Sequence, residues 1–185
     1  IASFSFENVF AVTLTANPDH ICFGDSSQLN ALAMGGTGSY TYSWTSYPEG
    51  FFSNQPDPWV SPTDTTIYIC QVINGSDTIS DSISVFVNLP PMVWVGNDTV
   101  ICANNTLQLN ALAANYDSLM WFTSGDGTFS ATNTTTPIYT PGAGDIANGN
   151  VNLSLYATAL TGCPGPAIDE MTLNITPLPI VSAGI

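Results

Sequence analysis

The chain contains no lysine and no arginine, and a single histidine, His20. An ordinary chain is about 25% charged, roughly half of it basic, so 185 residues without one strong cation lie far outside compositional drift. Against that absence stand 14 Asp and Glu, for a net charge of −14. Nothing here can neutralise a phosphate backbone or an anionic bilayer, which excludes nucleic acid and a charged membrane surface as partners. Chemistries that need a P-loop lysine, a Schiff-base lysine or an arginine clamp are excluded with them. Long apolar runs are missing too. None approaches the ~20 residues that span a bilayer, so no direct membrane insertion is expected. Residues 1–10 have neither a basic start nor an apolar stretch of the signal-peptide kind. The chain opens without Met and stops at Ile185 in mid-pattern, and it reads as a piece of something longer. What remains, 44% hydrophobic and 11% aromatic, is the composition of a folded chain rather than of an acidic disordered one.

Cysteine is sparse and even in number: Cys22, Cys70, Cys102 and Cys163. Four cysteines in a Ser/Thr/Asn-rich chain point to two disulfides and an oxidising, extracellular setting. They allow three pairings. A zinc site is not expected, because there is no C-x-x-C pair and only His20 to assist.

The strongest internal signal is a repeat. Residues 21–33 read ICFGDSSQLNALA, and residues 101–113 read ICANNTLQLNALA. Ile21/Ile101, Cys22/Cys102 and the whole of Gln28–Ala33/Gln108–Ala113 match at one offset, across strand-like and turn-like positions alike. Each repeat closes on an alternating strand and a proline joint, Leu89-Pro90-Pro91 and Pro177-Leu178-Pro179. The reading is a tail or extra strand at 1–10, a first repeat at 11–89, a second at 90–178 and the start of another at 179–185. Short proline joints are semi-rigid spacers, so the expectation is a rod with neighbouring repeats of the same chain as first partners.

Within each repeat, short runs alternate with period two: Ser27–Ala33, Tyr40–Trp44, Thr66–Val72 and Ile83–Val87. Gly, Pro, Asn and Asp clusters separate them. That is the pattern of an all-β sandwich, and only 144–149 has room for a helical turn. Three marks are immunoglobulin-like: Cys22 on one strand, Trp44 on the next and Cys70 on a third, with Tyr68 where a tyrosine corner would stand. They predict Cys22–Cys70 in the first repeat and, by repetition, Cys102–Cys163 in the second, with Trp44 and Trp121 as core tryptophans packed on them.

Two sets of motifs carry a family resemblance. Ile21-Cys-Phe-Gly-Asp-Ser26, Gly35-Gly-Thr-Gly-Ser-Tyr-Thr-Tyr-Ser-Trp44 and Thr65-Thr-Ile-Tyr68 form one. Trp121-Phe-Thr-Ser-Gly-Asp-Gly-Thr-Phe129 and Tyr139-Thr-Pro-Gly-Ala-Gly-Asp-Ile146 form the other. Together they resemble the PKD-like and Ig-like repeats of very large surface proteins of Bacteroidota. The resemblance implies tandem immunoglobulin-like/PKD-like β-sandwiches exported by type IX secretion, often in adhesins of the gliding-motility kind. It also implies O-glycosylation at Asp-Ser/Thr-hydrophobic tripeptides. Five occur, with acceptors Thr65, Thr78, Ser82, Thr99 and Ser118, more than this composition yields by chance.

No catalytic residue is expected. The one histidine, the side-chain type most often used for acid–base work near neutrality, is His20, and it sits beside Asp19 in a joint. The neighbouring carboxylates Asp169 and Glu170 would point to opposite faces of a strand. No cofactor is required; calcium is the candidate ion, since hard cations take carboxylate oxygens, with Asp19, Asp98 and Asp126 as candidate ligands. The reading is therefore not an enzyme but a structural stalk segment of a secreted adhesin or filament, with surface polysaccharide or another surface protein as distal partner. The alternative is a carbohydrate-binding accessory module of a large secreted enzyme, in which Phe51, Phe52, Trp59 and Trp94 would stack on sugars if they formed one exposed strip.

Overall fold

The computed structural model describes residues 9–178. The chain is organised as two compact units. The first runs to Leu89 and includes Thr161–Cys163; the second comprises Pro90–Leu160 and the chain from Pro164 onward. Residues 1–8 of the expected piece at 1–10, and the whole of the piece at 179–185, lie outside the described residues. Among the described residues, no helix is long and apolar enough to cross a membrane.

The first unit holds β1 (Ala11–Asn17), β2 (His20–Cys22), β3 (Ser27–Met34), β4 (Thr41–Tyr47), β5 (Phe52–Ser53), β6 (Trp59–Val60), β7 (Thr66–Asn74) and β8 (Asp77–Asn88). They form two sheets, β1-β3-β6 and β2-β8-β7-β4-β5. Strand β7 shows why: Thr66, Tyr68, Cys70, Val72 and Asn74 are buried, and every residue between them is exposed. That alternation puts one face on the core and the other in solvent. Leu29 and Ala31 from one sheet meet Trp44, Cys70, Val72 and Val85 from the other in a single cluster.

The second unit holds β9 (Met92–Trp94), β10 (Thr99–Cys102), β11 (Leu107–Gln108), β12 (Leu112–Ala114), β13 (Tyr116–Thr123), β14 (Thr128–Phe129), β15 (Ile138–Thr140), α1 (Ala143–Asn148), β16 (Asn150–Ala159) and β17 (Ala167–Thr176). Its main sheet is β10-β17-β16-β13, with β9-β12 and β11-β15-β14 as smaller sheets. Trp121, Tyr139, Leu153, Leu155 and Leu173 fill its core. The all-β architecture is that of tandem immunoglobulin-like domains, with α1 as a six-residue exception.

The sequence repeat is also a repeat of wiring. Leu29 and Ala31 donate their N–H groups to the carbonyls of Pro58 and Pro56, and Leu109 and Ala111 donate theirs to Pro137 and Thr135. One residue before those segments, the Gln55 carbonyl accepts from Trp44 Nε1 at 3.0 Å. The Thr134 carbonyl accepts from Trp121 Nε1 at 2.8 Å. Each tryptophan thus fills the core and ties an irregular segment to it, since a buried indole N–H requires an acceptor. Trp121→Phe keeps one six-membered ring but loses the rest of the indole and leaves the Thr134 carbonyl unpaired, and is expected to cost at least about 1–3 kcal/mol. Trp121→Ala is expected to cost about 3–5 kcal/mol. Urea titration of the two variants separates these values, and a Trp121→Phe protein as stable as the parent would mean that the hydrogen bond contributes nothing.

The expected disulfides are corrected by the sheet topology. Cys22 bonds to Cys163, while Cys70 and Cys102 are free thiols, the first buried and the second exposed. The pair Cys22–Cys70 fails because β2 and β7 belong to one sheet with β8 between them. Cys22 stands opposite Asn88 and Cys70 opposite Asp81, seven positions apart along β8, or roughly 23 Å. A disulfide needs Cα atoms within about 7 Å. Cys102–Cys163 fails likewise. Cys102 stands opposite Thr176, at the far end of β17 from the turn that contains Cys163. Trp44 therefore packs across from the Cys70 thiol, its register partner, and not on a cystine. Burial pushes that thiol up to about 11, so it stays protonated at neutral pH.

Candidate functional site

Two features of the described residues go beyond sandwich packing. The first is a carboxylate pair in the second unit. Asp145 on α1 is almost fully buried. Its Oδ2 accepts from the Tyr139 hydroxyl at 2.7 Å and from the Gly142 N–H at 3.0 Å, and its Oδ1 accepts from the Asp126 N–H at 3.1 Å. Asp126 answers from the loop after β13: its carboxylate accepts from the N–H groups of Gly144 at 2.9 Å and Asp145 at 3.1 Å. A short helix whose N-cap is glycine has no side chain to satisfy its first N–H groups. Asp126 supplies that cap from a distant loop, and Asp145 closes the reciprocal half. The glycines of Gly125-Asp126-Gly127 are explained by the same packing. A Cβ on Gly125 would run into the Asp145 carboxylate, and one on Gly127 would lie 2.6 Å from it as well as against the Tyr139 hydroxyl.

The electrostatics follow. The Gly144 and then the Asp145 backbone N–H groups hold Asp126 below the ordinary carboxylate range. Burial first, and then the Asp145 hydrogen bond, push the Tyr139 hydroxyl up to about 12. A depressed carboxyl pKa stabilises the fold fully above the unfolded value, about 3.9, and the contribution is lost as pH falls through the lower folded value. The urea midpoint of the second unit is expected to fall below about pH 4, and to fall less steeply in Asp126→Asn. Parallel curves for the two proteins would count against this cap.

The second feature is the outward face of the five-stranded sheet in the first unit. Its β7 row is Ile67, Ile69, Gln71 and Ile73, paired with Ser84, Ser82, Ser80 and Thr78 on β8 and with Tyr47, Thr45, Ser43 and Thr41 on β4. No residue of these rows is charged, in a chain that carries −14. Tyr47 and Phe52 stand exposed at one side, and His20 stacks on exposed Phe86 at 4.6 Å at the other. The face is uncharged and carries a row of isoleucines flanked by hydroxyl side chains.

The sequence-derived candidates distribute as follows. Asp19 pairs with His20, Nδ1 to Oδ1 at 3.2 Å, and its carboxyl is lowered first by that hydrogen bond. Asp98 Oδ1 accepts from the Thr172 N–H at 2.8 Å, and Asp126 serves the helix. Among the described residues, no three His, Cys, Asp or Glu side chains come together as a metal site. Trp44, Tyr68 and Trp121 are core residues; Tyr68 packs edge-on against Phe51, and its hydroxyl meets the Thr66 side chain. Thr65, Thr78, Ser82 and Ser118 are exposed and Thr99 is half-buried, with Thr78 and Ser82 on the uncharged face. The aromatics form no single strip: Phe51 is half-buried, Phe52 lies on the sheet of β4, and Trp59 on the opposite sheet beside β3. Tyr139 and Asp145 lie within the Tyr139–Ile146 motif of the sequence, which marks them as part of the resemblance but not as partners of one another.

No protein-family model and no curated protein matches the chain. Solved structures do. The I-band fragment I67-I69 from titin is 11% identical with a TM-score of 0.56, over 85% of this chain and 62% of that one. The N-terminal eight Ig domains of Down Syndrome Cell Adhesion Molecule are 9% identical with a TM-score of 0.60, over 90% and 25%. Extracellular domains 3-5 of Drosophila OTK are 12% identical with a TM-score of 0.53, over 89% and 62%. The chain thus spans less than two thirds of each of these structures. At such identities the likeness establishes the fold, immunoglobulin-like domains in tandem, and nothing finer.

Proposed function

We propose that this chain is a stalk segment of a secreted bacterial surface adhesin or filament, whose work is extension and display rather than catalysis. The observation that carries the reading is the duplicated wiring. Two units repeat the same tryptophan anchor and the same backbone contacts, and the conspicuous carboxylate pair is consumed in capping a helix. A reacting site needs converging polar groups that are free to engage a substrate. A cystine suits an oxidising exterior, and the absence of lysine and arginine removes every tryptic site from an exposed segment.

The uncharged face of β8, β7 and β4 is the surface best suited to surface polysaccharide, because stacking and hydroxyl contacts need no charge. Thr78 and Ser82 on that face are the leading O-glycosylation acceptors, and sugars there would cover the exposed isoleucine row. Calcium at the acidic joints belongs to this reading as a counter-ion to the net charge.

Antibodies against the chain are expected to decorate intact source cells as strongly as permeabilised ones; labelling confined to permeabilised cells would overturn the reading. Intact mass of native material tests the sugars. A value above 19.5 kDa by whole hexose increments supports them, and agreement with the bare chain less the two protons of one disulfide removes them.

A further inference from the structure

Strand β8 is longer than both strands it pairs with. It pairs with β7 from Asp77 to Val85, and on its other side β2 reaches only Phe86, Val87 and Asn88. Two bonds near its end fix which way its backbone groups point. The Phe86 N–H donates to the Asp19 carbonyl at 2.8 Å on the β2 side, and the Val87 N–H donates to Thr65 Oγ1 at 3.1 Å on the β7 side. Backbone groups alternate sides along a strand, and the register with β7 runs without a bulge. The N–H and C=O groups of Thr78, Ser80, Ser82 and Ser84 therefore face away from β7. Among the described residues no strand pairs with that side, and Thr78, Ser80 and Ser82 are exposed. Such an edge is a template for another strand.

One of these groups is already taken: Asp81 Oδ1 accepts from the Ser82 N–H at 2.8 Å. Asp81 belongs to the inner row of β8 with Ile79, Ile83 and Val85, and those three pack in the core of the first unit. It stands opposite the buried Cys70. A charge in that row adds nothing to an apolar core, yet Asp81 is exposed and its carboxylate turns to the open edge. The chain has no lysine, the residue most used to guard an edge.

We propose that the β8 edge is a strand-pairing surface that fits a second copy of this chain, and that Asp81 holds it closed. The copy is the fitting partner because the edge is complementary to itself. Two β8 strands running antiparallel about a two-fold axis at Ser80 set Ser80 against Ser80 and Thr78 against Ser82, each with an N–H and a C=O turned to the other. The outward side chains of these residues are uncharged hydroxyls, so nothing in that row repels a copy. Asp81 withholds the Ser82 N–H from the Thr78 carbonyl of the copy and puts a carboxylate in its path. The inference rests on the edge and not on the stalk reading.

The test compares association of the whole chain, made without sugars and with Cys102→Ser throughout so that no intermolecular disulfide enters. The parent is expected to sediment as a monomer. Asp81→Thr removes both the acceptor and the charge, and is expected to raise the association constant at least about ten-fold, because one N–H in each copy regains a partner. Hydrogen exchange at Thr78, Ser80 and Ser82 is expected to slow with protein concentration in that variant alone. Adding Ser80→Pro is expected to restore the monomer. It removes an N–H on the open side of the edge, where a sheet tolerates proline. Asp81→Ala repeats the comparison should the threonine variant fail to fold. A parent that associates as strongly as the variant, a folded variant that stays monomeric, or a dimer that survives Ser80→Pro would overturn the proposal.

Discussion

Pulled from its two ends under oxidising conditions, the chain is expected to extend by no more than about 160 Å, against roughly 650 Å after reduction, at ~3.5 Å per extended residue. The reason is the path of the force. Cys22 and Cys163 are 141 apart in sequence, so the bond bypasses the residues between them. Of 185 residues, only the two flanking stretches, 45 residues with the cysteines themselves, lie outside that loop and can be drawn out. Strands β3 to β16 sit within it and carry no end-to-end load once the flanks are extended. Single-molecule force spectroscopy with and without a thiol reductant measures both limits, and Cys22→Ser should behave like the reduced protein in either buffer. Full-length extension without reductant would show that the bond is not made. For a stalk, such a bypass caps the extension that any one failure can release.

Asp145→Ala is expected to destabilise the second unit by on the order of 3–5 kcal/mol, because three neutral donors lose their acceptor at about 1–3 kcal/mol for each that is buried, and to lower its melting temperature by more than about 10 °C. Removing the carboxylate leaves the buried Tyr139 hydroxyl and the part-buried N–H groups of Gly142 and Asp126 without their acceptor. It also opens a void beside Gly125 and Gly127. Asp145→Asn retains the volume and an acceptor, and is expected to cost clearly less. The same cluster sets an alkaline limit. Tyr139, raised to about 12, favours its neutral form in the fold. Its contribution is therefore complete below the ordinary tyrosine value near 10, and it is lost as pH rises from there toward the folded value. Calorimetry on the variants decides both points, and equal melting temperatures for wild type and Asp145→Ala would remove the cluster from the stability of this unit.

Residue-level patterning carried far because strand periodicity is local. The alternation of β7 decides which side chains face inward whatever lies opposite, and Trp44 and Trp121 are recognisable because a large apolar ring with one donor has few places to go. Function was less legible. Asp126 was legible as a candidate ligand between two glycines, but not the work its carboxylate does in capping a helix some twenty residues on. The missing information was which loop the helix start would meet.

Repetition, strand alternation, core aromatics and charge balance were written into the order of the residues, because each depends on near neighbours or on totals. The cystine partner was not. Cys22 and Cys70 looked like a pair until β8 came between their strands, and Cys163 found its sulfur partner 141 positions away. Which strands share a sheet is decided by long-range hydrogen bonding and by closure of two apolar faces on one core. Only the folded chain brings those distances to zero.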